Sequence, residues 1–235
     1  MQSKQYNLIR NLISSLMLTG LFLLPACINN NLGNRFIDAA NGEWGLKVFL
    51  GGSFTGNLNV AVPAEATYGT GCSGSGLEAA NCWCTSVART DATLITVRNK
   101  KFHAWLSDNN TDAICNVQGL TGKGCEVQNF SNVPLIRFSS NVGEDFLPII
   151  ADNLQDLINA NFRSSITAQG SSASWTGSSN KGIATGQNCN NWTEAGPGTA
   201  NGTFGEPLDN SKWSQSADID CSTNRALLCF EVPVD

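Results

Sequence analysis

The chain reads as an exported domain of mixed helix and strand, framed by disulfides and closed by a long loop region. Three observations lead there. Lys4 and Arg10 precede a short apolar run, Leu12 to Leu24. Nine cysteines are present, eight of them beyond residue 27. Strand-like and helical segments follow one another as far as Ile158, and from Gln169 to Asn210 Gly, Ser, Asn and Thr take over.

The N-terminal run is too short for a membrane span and has the basic flank of a secretion signal. It is closed by Leu24-Pro25-Ala26-Cys27, and a cysteine directly after a small residue looks like a bacterial lipobox. Residues 1–26 are therefore expected to be removed and Cys27 lipidated. Residues 27–45, with three asparagines at 29–31, form a polar tether, and the domain runs over 46–235. Loss of Lys4 and Arg10 leaves 12 basic against 19 acidic residues, a formal charge of −7. Such a chain gains no overall attraction from nucleic acid, which is excluded as a partner.

The elements follow in order. Leu46-Lys-Val-Phe-Leu50 reads as a strand ended by Gly51-Gly52, and a Gly/Ser loop then holds Cys72. Leu77, Ala80, Cys84 and Val87 recur on one face of a helix. Cys84 thus points to the core, within reach of a distant strand. Cys82 lies off that stripe and needs a local partner, for which Cys72 is the obvious one. Cys115 and Cys125, in a Gly-rich stretch, are expected to close their own small loop. An even number of cysteines in an exported chain is a disulfide framework. Zinc at Cys82-x-Cys84 is disfavoured by the short spacing and the missing second ligand pair.

Phe102-His-Ala-Trp-Leu-Ser107 reads as a short strand. Val133-Pro-Leu-Ile-Arg-Phe138 is another, which Pro134 restricts to an edge or a strand start. A second helix begins at Asp152, with Gln155 completing a capping box and Leu154, Leu157 and Ile158 on its apolar face. In the polar stretch beyond, Trp175, Cys189, Trp192 and Phe204 are the only anchors of size. The last strand, Arg225 to Val232, carries Leu227, Leu228, Cys229 and Phe230.

Candidate chemical groups are few. His103 is the single histidine, beside Phe102 and Trp105, and no nucleophile elbow accompanies it. Glu144-Asp145 and Asp218/Asp220 are paired carboxylates best read as solvated loop charges. Asp108-Asn-Asn-Thr-Asp112 spaces oxygens as calcium loops do, without their glycine and distal glutamate, and reads as a polar turn. Asn191-Trp-Thr193 is an acceptor sequon that a bacterial lipoprotein leaves unmodified. Trp175, Trp192 and Trp213 read as structural anchors rather than exposed contacts, because these loops have little else to bury. The polar surface of residues 178–220 is the better candidate for contact with a partner. No catalytic residue, metal or cofactor is expected.

The pattern Trp175-Thr-Gly177, Cys189-Asn-Asn-Trp192, Cys221 and, seven residues on, Cys229-Phe-Glu231 resembles the C-terminal half of endostatin, the collagen XVIII fragment. Phe102–Ser107 and Val133–Ile136 are similar to its middle segments. With the lipobox and this length, the chain resembles the leptospiral endostatin-like (Len) outer-membrane lipoproteins over about residues 46–235, with insertions around Cys72 and Cys115–Cys125. The resemblance implies an α+β, C-type-lectin-like fold: two helices, a mixed, mainly antiparallel sheet and long disulfide-pinned loops. It implies the bonds Cys84–Cys229 and Cys189–Cys221. It also implies a surface-exposed, lipid-anchored adhesin of the outer membrane. Its partners would be laminin and fibronectin, with complement factor H and plasminogen as further candidates. Zinc and heparin binding do not carry over to a chain with one histidine and an acidic balance. Gly196-Pro-Gly and Trp213-Ser-Gln lack the carboxylates of a calcium-dependent sugar site. The rival readings are a calcium-independent carbohydrate-binding module, an envelope lipoprotein without host ligand, and a thiol enzyme using Cys82-x-Cys84.

Overall fold

The computed structural model describes residues 45–59, 72, 74–90, 97–128, 133–138, 148–167 and 173–233. The signal segment, Cys27, the asparagines at 29–31 and the pair Glu144-Asp145 lie outside the described residues. The elements are β1 (Leu46–Phe54), α1 (Leu77–Thr90), β2 (Phe102–Ala104), α2 (Ala113–Asn116), β3 (Leu135–Arg137), β4 (Ile149–Ala151), α3 (Leu154–Ile158), β5 (Ser174–Trp175), α4 (Cys189–Trp192), β6 (Asn201–Gly205), β7 (Ala217–Asp220) and β8 (Arg225–Glu231). The strands form one mixed sheet in the order β4-β3-β1-β8-β5-β6-β7, with β2 also paired to β8. Only β1/β3 and β5/β8 run parallel. Among the described residues no helix is long and apolar enough to cross a membrane.

β8 is central because its sequence is apolar on both faces. Leu227 and Cys229 pack into one core with Phe49, Phe54, Trp83 and Cys84. Leu228 and Phe230 enter a second core with Val48, Trp105, Leu135, Ile150 and Trp213. Alternate side chains of a strand point to opposite faces, so a continuous apolar run is what a doubly covered strand requires. One edge of β8 takes β1. The other is shared, β5 pairing at Ala226–Leu227 and β2 at Cys229–Glu231.

α1 covers the first core. Its buried stripe is Ala80, Trp83, Cys84 and Ala88, while Leu77 and Val87 are only partly buried. The face is thus rotated toward Trp83, whose ring meets Phe54 edge-on at 5.1 Å. Cys84 bonds Cys229 across 145 residues, and Cys82 bonds Cys72 across 10. Cys115–Cys125 and Cys189–Cys221 complete the four disulfides.

Several elements differ from their sequence-based reading. Gly51-Gly52 does not end β1 but lies within it, where the pairing with β8 shifts register between Leu50 and Ser53. A Cβ on Gly51 would stand 3.2 Å from Cys229 Sγ and from Trp83 Nε1, so the glycines mark a close approach beneath α1. α3 is capped by Asn153, which accepts from the Asp156 amide at 2.8 Å, and not by Asp152. Asp152 instead pairs with Arg163 at 2.7 Å. β3, by contrast, fits the strand-start alternative of the sequence reading: it is an interior strand, and Pro134 stands just before it, its carbonyl accepting from Leu46 N at 2.9 Å. Two short helical segments, α2 and α4, are present in addition to the two expected helices.

The 145-residue span makes Cys84–Cys229 the bond with the largest effect on the unfolded chain. In the loop-entropy account its removal costs about 4–5 kcal/mol, against about 2–3 kcal/mol for the short Cys72–Cys82 loop. Urea unfolding of the paired alanine variants should therefore show Cys84→Ala/Cys229→Ala losing roughly twice as much stability as Cys72→Ala/Cys82→Ala. Equal losses would contradict that ordering.

Candidate binding surface

The C-terminal loops are poor in aliphatic side chains, and their order comes from three buried tryptophans and a polar network. Trp175, Trp192 and Trp213 have no solvent exposure. The Trp175 indole donates to the Phe54 carbonyl and the Trp192 indole to the Ser107 carbonyl, both at 2.8 Å. Trp213 stacks at 4.7 Å on Trp105, whose own indole donates to Ser214 Oγ at 2.8 Å. Beneath the loops, Ser107 Oγ meets Ser178 Oγ at 2.9 Å and accepts from Ala113 N at 2.7 Å. Ser178 Oγ donates to the Thr176 carbonyl, and Thr176 Oγ1 to the Ser214 carbonyl. Thr203 Oγ1 continues the chain to Asp218 Oδ1 at 2.6 Å. The hydroxyls of Ser107, Thr176, Ser178 and Thr203 are thereby satisfied, as buried polar groups generally are.

Above this floor sits a turn of unusual hand. All four residues of α4 have positive φ: Cys189 50°, Asn190 53°, Asn191 58° and Trp192 62°. A left-handed residue other than glycine costs roughly 1–2 kcal/mol, Asn being the best tolerated. The surroundings over-determine the conformation. Cys189 is held by Cys221, and Asn188 Oδ1 accepts from Asn191 N at 3.0 Å. Asn188 Nδ2 donates to Asn109 Oδ1, and Asn109 N to Asn191 Oδ1, each at 2.9 Å. Gly76, at the start of α1, lies so close to the Asn191 carbonyl that a side chain there would collide with it. Strain of this kind, held by its neighbours, is a recognised mark of functional loops. The patch it presents to solvent is uncharged and amide-rich, with Asn109, Asn110, Gln187 and Asn190 exposed.

The structure draws Asp112 into the same layer. Its carboxylate is buried and accepts from Ala184 N at 2.9 Å and Gly124 N at 2.8 Å, tying three loops together. Asp108 accepts from the amides of Asn110 and Thr111. The two carboxylates thus act as turn and loop clamps, as a polar turn does. Asp218 is held by Thr203, and Asp220 sits in a turn with Ser222 N at 2.8 Å. Cys82 and Cys84 belong to separate disulfides, so they do not face each other as a dithiol pair. Among the described residues no cluster of His, Cys, Asp and Glu could hold a metal ion.

His103 is buried in β2, with Nδ1 2.6 Å from the Asn116 carbonyl. Burial holds its pKa below the ordinary 6.5, outweighing the Asn116 bond, and nearby Lys101 pushes the same way. The Asn109–Asn188–Asn191 clamp and the hydroxyl chain carry no periodic signal in the sequence. Only Asn190-Asn191, two left-handed-tolerant residues in a row, could have suggested the turn. In comparisons with known proteins, no family model and no curated protein matches this chain.

Two outcomes are expected. Asn191→Ala removes the Asn109 contact and places alanine at positive φ, and should lower stability by about 1–2 kcal/mol in urea unfolding. Asn190→Gly, at an exposed and equally left-handed site, should stay within about 0.5 kcal/mol of the parent. For His103, the unfolded chain takes up its proton before the folded one as pH falls below 6.5. Stability should drop between 6.5 and the lower folded value, and His103→Asn should flatten that segment of the pH profile. Asp209, held down by the Ser211 hydroxyl, and Asp220, by Ser222, lose their contributions only at lower pH, from about 3.8 downward.

Proposed function

We propose that this chain is a surface-exposed, lipid-anchored adhesin of the outer membrane. Its domain is read as endostatin-like with a C-type-lectin-like fold, in the manner of the leptospiral endostatin-like lipoproteins. Its ligands are host extracellular-matrix proteins, laminin and fibronectin, with complement factor H and plasminogen as further partners. The observation that carries this reading is the pre-arranged amide-rich patch around Asn109, Asn188, Asn190 and Asn191, held by Cys189–Cys221 and the buried tryptophans. Rigid Asn, Ser and Gly loops offer adaptable hydrogen bonds to a protein surface, and little entropy is lost because the loops are ordered beforehand.

The mechanism is non-catalytic. Lipidation at Cys27 holds many domains on one surface, and multivalent contact raises modest single-site affinity. The formal charge of −7 beyond residue 26 makes long-range attraction to acidic partners a minor contribution, so binding rests on the fit of the loop layer.

Surface plasmon resonance of the oxidised protein over immobilised laminin, fibronectin and factor H, with a reduced control and a salt series, tests the proposal. The expected result is saturable binding that disappears on reduction and depends weakly on salt. Flat traces from folded protein on all three ligands would overturn the adhesin reading. A glycan array without calcium would then separate a carbohydrate-binding module from an envelope protein.

A further inference from the structure

A second feature lies outside the loop layer. Between α1 and the segment leading into β2 is a cleft of about 300 Å3, lined in part by Arg89, Lys100, Lys101 and His103. In a chain whose acidic residues outnumber its basic ones, four cations, Arg89, Arg98, Lys100 and Lys101, fall within thirteen residues that hold one acid, Asp91. No acidic side chain is among the described residues that line the cleft. Among the described residues, Glu231 on β8 stands 3.6 Å from Lys100 Nζ and offsets one of the three lining cations. The described lining is therefore left with an excess of about two positive charges.

Asn81 and Thr85 in its lining are committed to structure. Asn81 Oδ1 accepts from Ala104 N at 2.9 Å, and Thr85 Oγ1 both donates to and accepts from the Phe102 backbone. These bonds fix β2 against α1 and so fix His103. Because a carbonyl can only accept, His103 Nδ1 facing Asn116 must carry the ring proton. Burial keeps the ring neutral near pH 7, so the atom it can offer to the cleft is Nε2, a lone-pair acceptor.

We propose that this cleft binds inorganic phosphate, held by Arg89, Lys100 and Lys101. His103 Nε2 accepts the proton that inorganic phosphate still carries. A sulfate dianion has the same charge and shape but no proton to donate, and would face the lone pair unfavourably. The size of the cleft, at the small end of ligand pockets, suits a single phosphate group. A long polyanion would meet the net negative charge of the rest of the chain, whereas a compact dianion senses mainly the local cations. The charged groups facing His103 are Arg89 from α1, Lys100 and Lys101 from the preceding segment, and Glu231 from β8, while α2 brings none.

His103 is the single histidine, so its imidazole gives one clean nuclear magnetic resonance signal in the full, oxidised chain. Titrations with inorganic phosphate, glycerol phosphate, sulfate and chloride at about pH 7.5 and constant ionic strength test the assignment. The expected result is a saturable shift with inorganic phosphate, and binding of glycerol phosphate and of sulfate, neither of which carries a proton on its anionic group at this pH, weaker by about tenfold or more, the factor expected for one charge-assisted hydrogen bond. Glycerol phosphate or sulfate binding as tightly as inorganic phosphate would overturn the role of His103 as proton acceptor. Arg89→Gln and Lys101→Gln, at exposed positions, should each weaken phosphate by about tenfold while leaving the melting temperature in place. No saturable shift with inorganic phosphate, equal shifts with phosphate, sulfate and chloride, or parental affinity in both variants would overturn the proposal.

Discussion

The link between Cys84 on α1 and Cys229 on β8 is the constraint around which the domain is arranged. β8 is a strand with three neighbours and apolar side chains on both faces, and Cys229 lies where β1, β2 and α1 come together. At Cys229, Phe49 of β1 stands on one side and Ala104 of β2 on the other. The disulfide ties α1 to that strand in the first core. The helix can approach this closely because Gly51 and Gly52 leave room for Trp83 and for the sulfur. Close packing then makes each of these positions sensitive to volume, since interiors have few voids to absorb a methyl group.

The loop layer is stabilised by different means. It is tied to the sheet through the two-residue strand β5, whose Trp175 lies beside Leu227 of β8 and Phe204 of β6. Burial of Trp175, Trp192 and Trp213 supplies the apolar contribution that Gly, Ser and Asn cannot. The hydroxyls of Ser107, Thr176 and Ser178 beneath are satisfied by one another and by backbone groups. A network of this kind specifies one arrangement, because a half-satisfied version would leave buried polar atoms unpaired at roughly 1–3 kcal/mol each. That requirement explains how a segment poor in aliphatics can still hold four consecutive left-handed residues in place.

How far the sequence revealed this depends on which physical signal each part leaves behind. The 3.6-residue periodicity of α1 set Cys84 inward and Cys82 aside, and the bonds to Cys229 and Cys72 have that geometry. The apolar run of β8 was equally legible. Gly51-Gly52 was ambiguous, because glycine signals a strand end and a close approach with the same letter. α2 spans only Ala113–Asn116, too short to display a period. The left-handed turn left almost no trace, since cysteine and tryptophan have no preference for positive φ and only tertiary contacts impose it there. The clamps made by Asn109, Asp112 and Asn188 bridge residues about 70–80 positions apart, beyond the reach of any local pattern.

The two proposed sites call on different parts of this architecture. The amide patch depends on the oxidised loop layer, because Cys189–Cys221 fixes the turn that carries Asn190 and Asn191. The cationic cleft depends on α1 and β2, held together by the Asn81 and Thr85 bonds and by Cys84–Cys229 beneath. Loops with few apolar contacts open at lower free energy than the sheet they cover. Loss of the 32-residue Cys189–Cys221 link would therefore free the patch while α1 and β2 stay paired with β8. Both sites therefore rest on oxidised cysteines, the loop surface on Cys189–Cys221 and the cleft on Cys84–Cys229.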